Sequence, residues 1–75
     1  MTFSAAYKVR FKINTDPYYP VYRTRTITLN DIPLDENGFY TNETYNFIFR
    51  QLFEKCAEIA KTRNIRIVSY ERKIK

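Results

Sequence analysis

The side chains of this chain that could take part in binding or catalysis are mainly the cations of lysine and arginine and the phenols of tyrosine. Lys8, Arg10 and Lys12 alternate with apolar residues over residues 3–13, so in an extended strand they would project from one face. Cations spaced in this way neutralise phosphates, and exposed tyrosine rings stack on bases. The pattern is typical of a surface that binds nucleic acid or another polyanion.

Groups suited to catalysis are scarce. The chain has no histidine, the usual general acid or base, and its one cysteine, Cys56, falls among apolar residues as a small buried hydrophobe would. Glu71, flanked by Tyr70 and Arg72 with Arg66 nearby, could cleave RNA without histidine, although strand alternation turns Glu71 away from its neighbours. We therefore predict a non-catalytic protein, with a histidine-free nuclease as the remaining alternative.

Residues 30–40 are predicted to form an acidic connection between the second strand and the helix. This acidic connection contains a faint calcium-loop pattern in Asp35, Asn37 and Gly38. The pattern fails because Pro33 occupies the first ligand position and Thr44 stands where a bidentate glutamate is needed. A single cysteine also excludes a Cys-cluster metal site and an intramolecular disulfide. The sequence predicts no metal and no cofactor.

Length and charge limit the choice of partner. The 75 residues suffice for one small domain, residues 1–75, and the net charge is +5. Residues 1–30 carry a net charge of +4, whereas residues 31–44 carry −4. This separation favours nucleic acid or an acidic protein surface as the partner of the basic segments.

The sequence also predicts a location. No apolar run approaches the roughly 20 residues needed to span a bilayer, and the first residues lack the features of a signal peptide. A single cysteine suits a reducing compartment. We expect a cytoplasmic protein that does not contact membranes.

Two antiparallel strands are predicted in the first half of the chain, at about residues 3–13 and 21–29, joined by a turn at residues 14–17. Ile27 and Leu29 would point inward, which places Tyr22, Thr24, Thr26 and Thr28 outward. A bulge near residues 23–25 would alter this alternation. In the first strand the inward residues would be Phe3, Ala5, Tyr7, Val9, Phe11 and Ile13.

A helix is predicted at about residues 42–63. Thr41 or Asn42 is a suitable N-cap, and Asn64 could adopt the left-handed conformation after the last turn. At 100° per residue one apolar sector forms and is expected to be buried. It contains Tyr45, Ile48, Phe49, Leu52, Phe53, Cys56, Ile59 and Ala60.

The third strand is predicted at about residues 65–74. Ile65 and Ile67 would face the helix, and Arg66, Val68, Tyr70 and Arg72 would face away, although the opposite register is open. The order of elements predicts an α+β fold, ββαβ, with a three-stranded, mainly antiparallel sheet and the helix on one face. A right-handed crossover would lay the third strand parallel to the second, as a central first strand allows.

The outward positions together form a candidate binding face for nucleic acid or another polyanion. An alternative explanation is that the uncovered face of such a sheet is polar in any case. The candidate residues are Lys8, Arg10, Lys12, Tyr22, Arg66, Tyr70 and Arg72.

A second hypothesis is a protein-interaction module, such as an inhibitor, adaptor or regulator of a larger protein. Phe47 falls on the charged face of the predicted helix, and with Tyr40, Tyr18 and Tyr19 it forms a candidate partner patch. The alternative is that the acidic connection folds back over Phe47. Such a protein could also use its basic face, or pair with itself through an exposed strand edge.

Overall fold

The computed structural model describes residues 1–16 and 18–73. Its elements are β1 (Thr2–Ile13), β2 (Val21–Pro33), α1 (Asn42–Ala60) and β3 (Ile65–Arg72). The predicted α+β class and the ββαβ order are confirmed. β3 ends at Arg72, before the predicted end at residue 74, and Lys73 follows it outside the strand. Residue 74 and Pro17 of the predicted turn lie outside the described residues.

The sheet has the strand order β2-β1-β3, and β1 pairs antiparallel with both neighbours. β2 and β3 therefore run in the same direction with β1 between them, as the crossover argument predicted. No helix in the described part of the chain is long and apolar enough to cross a membrane.

Alternation along β1 divides the sheet into two faces. Tyr7, Val9 and Phe11 are buried under the helix, whereas Lys8 and Arg10 on the other face are exposed. Successive side chains of a strand point to opposite faces of its sheet, and β1 is the central strand. This strand therefore supplies both the centre of the core and the centre of the uncovered face.

β2 is longer than predicted because it contains an irregularity near its end. Its pairing with β1 is continuous from Val21 to Leu29, so there is no bulge at residues 23–25. The register then shifts, and Asp31 adopts a positive φ of 57°. The extra residue turns Ile32 into the core, where it is fully buried. Residues expected in the acidic connection thus belong to the sheet.

The helix begins at a capping box whose N-cap is Thr41, one of the two residues that the sequence offered for this position. The backbone N–H of Thr44 donates to the Thr41 hydroxyl at 3.2 Å, and the Thr41 N–H donates to the Thr44 hydroxyl at 3.0 Å. The Thr44 hydroxyl also donates to the Pro33 carbonyl at 2.6 Å. A fully buried polar side chain thereby ties the start of α1 to the end of β2.

The helix ends earlier than residue 63, and the prediction of its C-terminal cap was wrong. Lys61, with a φ of 57°, takes the left-handed position, and the Thr62 N–H donates to the Ala57 carbonyl. This pattern satisfies the last carbonyls of the helix without Asn64. The Asn64 side chain instead donates to the Asn14 carbonyl at 2.8 Å and links β3 to the hairpin.

The buried stripe of α1 is narrower than the predicted apolar sector. It runs through Thr44, Ile48, Leu52 and Cys56, one residue per helical turn, with Ala57 also buried. The helix lies nearest β2, so the opposite flank of the sector faces solvent. On that flank Tyr45, Phe49 and Ile59, which were expected to be buried, are exposed, while Phe53 and Ala60 are partly buried.

Candidate nucleic-acid interface

The sheet face opposite α1, here called the open face, is organised in cross-strand rows. Along its centre, Lys8 lies opposite Thr26 and Arg10 lies opposite Thr24. Directly paired side chains on one face are about 4.5 to 5.5 Å apart at Cβ. The open face comprises Lys8, Arg10, Lys12, Tyr22, Thr24, Thr26, Thr28, Arg66, Ser69 and Glu71.

Tyr22 provides an aromatic surface within this basic setting. It pairs with Lys12 across the strands, and the Arg10 guanidinium lies 4.9 Å from the centroid of its ring. This distance is within the range of a cation–π interaction, which restrains both side chains. Tyr22 remains 45% exposed, so it is accessible to a stacking partner.

A bulge in β3 changes which of its residues reach the open face. Arg10 pairs with Ser69 and Phe11 pairs with Ile67, so Val68 is the extra residue. Before the bulge Arg66 lies opposite Lys12 on the open face, as predicted. Beyond the bulge the alternation is reversed.

The predicted orientation of Tyr70 and Arg72 was therefore wrong. Tyr70 pairs with Val9 and Arg72 pairs with Tyr7, so both lie on the helix side of the sheet. The Tyr70 ring meets Tyr7 edge-on at 6.1 Å, and the Arg72 guanidinium lies 5.1 Å from the Phe3 ring centroid. The bulge thus removes both residues from the basic row of β1.

Glu71 takes the place on the open face that the prediction gave to its neighbours. It pairs with Lys8 and is exposed. Among residues 1–16 and 18–73, its carboxylate forms no hydrogen bond or ion pair, since the one ion pair there joins Arg63 and Glu54 at 3.0 Å. The Tyr70, Glu71 and Arg72 set considered for RNA cleavage does not converge.

A groove of about 600 Å³ runs over the open face. Lys8 and Arg10 form its floor, Tyr22 and Thr24 border it from β2, and Glu71 borders it from β3. Ser69 and Tyr70 also contribute to its rim. A second depression of about 260 Å³ continues it past Tyr22 toward Lys12 and Arg66. Residues of all three strands line these two depressions, and Tyr22 belongs to both.

The helix side of the sheet carries a contrasting aromatic cluster, defined as Phe3, Tyr7, Tyr40, Tyr45 and Tyr70. Tyr40 lies 5.5 Å from Phe3 and 5.3 Å from Tyr45, measured between ring centroids. Phe49 follows Tyr45 by one helical turn, on the same flank of α1. Tyr45 is 54% exposed and Phe49 is 48% exposed, so this side also offers a surface to a partner.

The predicted partner patch is not assembled. Phe47 is partly buried against the core, and Tyr40 belongs to the aromatic cluster near the start of β1. Tyr18 and Tyr19 lie in the hairpin at the other end of β1, where both are exposed. The Asp16 carboxylate accepts hydrogen bonds from their backbone N–H groups at 2.9 and 3.2 Å. A strand of this length separates the two ends by roughly 33 Å.

Two buried groups have raised pKa values. Burial, reinforced by the nearby Tyr40, raises the pKa of Tyr7 to about 12. By hydrogen-bond geometry, the Tyr7 hydroxyl has no partner among the described residues. Burial also raises the pKa of the Cys56 thiol to about 11. Both groups remain protonated at neutral pH, which makes them poor nucleophiles.

Within the described ranges, no three His, Cys, Asp or Glu residues come together as a metal site. The search for relatives adds no assignment: no protein-family model, no curated protein and no solved structure matches the chain.

Proposed function

We propose that this protein binds single-stranded nucleic acid through the open face, without catalysing a reaction on it. The observation that carries the proposal is the alignment of Lys8, Arg10 and Lys12 down the centre of an uncovered sheet, with Arg66 beside Lys12. A row of cations of this kind displaces counterions from a phosphate backbone, which gives affinity that depends on salt.

The distribution of charge supports this function beyond the polarity expected of any uncovered sheet face. Threonine and serine alone would keep such a face hydrated. Instead, cations occupy the centre of the open face, while the acidic residues Asp35, Glu36 and Glu43 lie in the connection and the first turn of α1. The open face carries the cations Lys8, Arg10, Lys12 and Arg66 against the single carboxylate of Glu71, so the field over it is positive.

The shape and side chains of the open face favour a single strand over a duplex. The unstacked bases of a single strand can lie on an aromatic ring, and Tyr22 offers such a ring inside the groove. The hydroxyls of Thr24 and Thr26 lie beside the cations and can donate to phosphate oxygens. An intracellular, reducing setting is part of the proposal, since Cys56 is a free thiol.

Fluorescence anisotropy with labelled single-stranded and duplex oligonucleotides, at two salt concentrations, tests the proposal. We expect tighter binding of the single strand and a loss of affinity as salt rises. The double variant Lys8→Glu, Arg10→Glu should abolish binding. Arg23→Glu, Arg25→Glu is the matched control, because it makes the same charge change on the other face of the same hairpin.

Two outcomes would contradict this function. One is the absence of binding to any oligonucleotide at low salt. The other is an equal loss of affinity in the two double variants, which would mean that net charge, and not the open face, determines binding.

A protein-interaction function is the second candidate, favoured by the exposed aromatic flank of α1. Tyr45 and Phe49 are large, half-exposed rings one helical turn apart on α1, and β2 and β3 are the edge strands of the sheet. Apolar patches of this kind mark interaction surfaces, and edge strands accept a further strand. Light scattering over a range of protein concentrations would detect self-association, which Tyr45→Ser with Phe49→Ser should reduce. A strict monomer that retains no protein partner in a pull-down would argue against this candidate.

A further inference from the structure

We propose that the groove of the open face recognises a guanine base in the bound single strand, and that Glu71 selects it. This inference rests on the function proposed above. Its starting point is the carboxylate that the β3 bulge places in a groove whose floor consists of Lys8 and Arg10.

A carboxylate is unfavourable in a surface that only binds phosphate, because it repels the ligand. Glu71 is exposed, lies opposite Lys8, and makes no hydrogen bond or ion pair with any of the described residues. Ionised carboxylates are acceptors only, with two oxygens that can receive a pair of parallel hydrogen bonds. The ligand group suited to this position therefore carries two adjacent donors.

Guanine is the base that meets this requirement. Its Watson–Crick edge presents the N1–H and N2 amino donors side by side. Adenine and cytosine place a ring-nitrogen acceptor beside their amino group, and thymine or uracil places its N–H between two carbonyl oxygens. Each of these bases would turn an acceptor toward the carboxylate. In a single strand this edge is free of a pairing partner.

The remaining groups of the groove fit the same base. The O6 and N7 atoms of guanine accept hydrogen bonds from arginine or lysine, and Lys8 and Arg10 lie on the floor. Tyr22, restrained by Arg10 at 4.9 Å, supplies a ring for stacking from the β2 side. β2 and β3 are separated by β1, so the two walls stand roughly 9 to 10 Å apart. The groove volume of about 600 Å³ lies within the range of small-ligand sites.

The experiment compares oligo(dT) strands that differ at one central position, which holds thymine, guanine, inosine, adenine or cytosine. Fluorescence anisotropy gives the dissociation constant for each. We expect the guanine strand to bind roughly tenfold more tightly than the others, as one bidentate contact can provide. Inosine, which lacks the N2 amino group, should lose most of this advantage. The inosine comparison uses the unaltered protein, so it does not depend on how a variant folds.

Glu71→Gln should remove the preference for guanine, because an amide replaces one acceptor with a donor, and should strengthen binding to plain oligo(dT) by removing a negative charge. The matched control is Glu36→Gln, which makes the same change in the exposed connection. It should leave the preference for guanine intact.

The outcomes separate this inference from the function on which it rests. If no strand binds at low salt, the proposed function fails. If all strands bind equally and Glu71→Gln strengthens all of them by the same factor, the function stands and the guanine assignment is overturned. If labelled RNA is cleaved by the protein but not by Glu71→Gln, Glu71 is a general base and the assignment is also overturned.

Discussion

Successive residues of β1 point to opposite faces of the sheet, and the two faces differ almost completely in their exposure to solvent. Val9 and Phe11 have no exposed surface, whereas their neighbours Lys8 and Arg10 are exposed. A domain with one helix can cover only one face of its sheet, so the same strand contributes to stability on one side and is free to carry charge on the other. The fold thus tolerates a row of cations without burying any of them.

The largest expected loss of stability comes from a substitution on the helix-covered face, compared with a substitution on the open face. Phe11→Ala should lower the free energy of unfolding by about 3 to 5 kcal/mol, because it leaves a cavity in the centre of the core. Lys8→Ala on the open face should change it by less than about 0.5 kcal/mol. Urea denaturation followed by circular dichroism measures both. Similar losses for the two variants would mean that the open face is covered in the folded protein.

A smaller loss of stability is expected when the buried hydroxyl of Thr44 is removed. Thr44→Val preserves the shape of the side chain but removes its hydrogen bonds to Pro33 and Thr41. We expect a loss of about 1 to 3 kcal/mol, because buried polar groups are left without partners. The control Thr26→Val makes the same change on the open face, where water can hydrate the neighbouring groups. Equal stability of the two variants in urea denaturation would contradict the role of Thr44 in joining α1 to β2.

The helix-covered face should also make the protein sensitive to alkali. The pKa of Cys56 is raised from 9.0 to about 11 and that of Tyr7 from 10.0 to about 12. A raised pKa means that the folded state holds the proton more tightly, so stability is complete below the ordinary values and is lost as pH rises from about 9 to 12. Denaturation midpoints across this range measure the loss.

Tyr7→Phe isolates one part of this alkaline effect. It should reduce the decline of stability above pH 10, because the titrating hydroxyl is removed. It should leave stability near neutral pH unchanged, because the buried hydroxyl has no partner among the described residues. Tyr22→Phe on the open face is the control. A marked loss of stability in Tyr7→Phe near neutral pH would show that the hydroxyl is hydrogen-bonded.

The smallest effect concerns the ion pair between Arg63 and Glu54. Two hydrogen bonds of 3.0 Å join these exposed side chains, and each shifts the pKa of the other in the direction expected for a pair. Solvent screens such contacts, so Glu54→Gln should hardly change the denaturation midpoint, and added salt should remove the difference. A large, salt-independent loss would show that the pair is part of the packed structure.

The sequence predicted what depends on local pattern. Alternation in β1 identified its inner and outer residues, and the N-cap candidates Thr41 and Asn42 placed the start of α1 to within one residue. The pattern did not predict the two bulges, because an extra residue at Asp31 or Val68 is defined only by the strand it pairs with. The second bulge moved Tyr70 and Arg72 off the candidate face and brought Glu71 onto it.

The exposed flank of α1 escaped prediction for a related reason. Helical periodicity places Tyr45 and Phe49 in the same apolar sector as Leu52, but it does not indicate how much of the sector the sheet can cover. The sheet has three strands and the helix packs mainly against β2, so part of the apolar sector stays exposed. The exposure of this flank depends on the width of the sheet and on the placement of the helix, and the sequence of the helix determines neither.

The most direct test of the central claim is a map of amide chemical-shift changes as a single-stranded oligonucleotide is added to isotope-labelled protein. If the open face binds the oligonucleotide, the largest chemical-shift changes should occur at residues 8–12 of β1, 22–28 of β2 and 66–71 of β3, with little change along α1. Changes concentrated at Tyr40, Tyr45 and Phe49 would contradict this account, because the ligand would then occupy the aromatic side of the sheet.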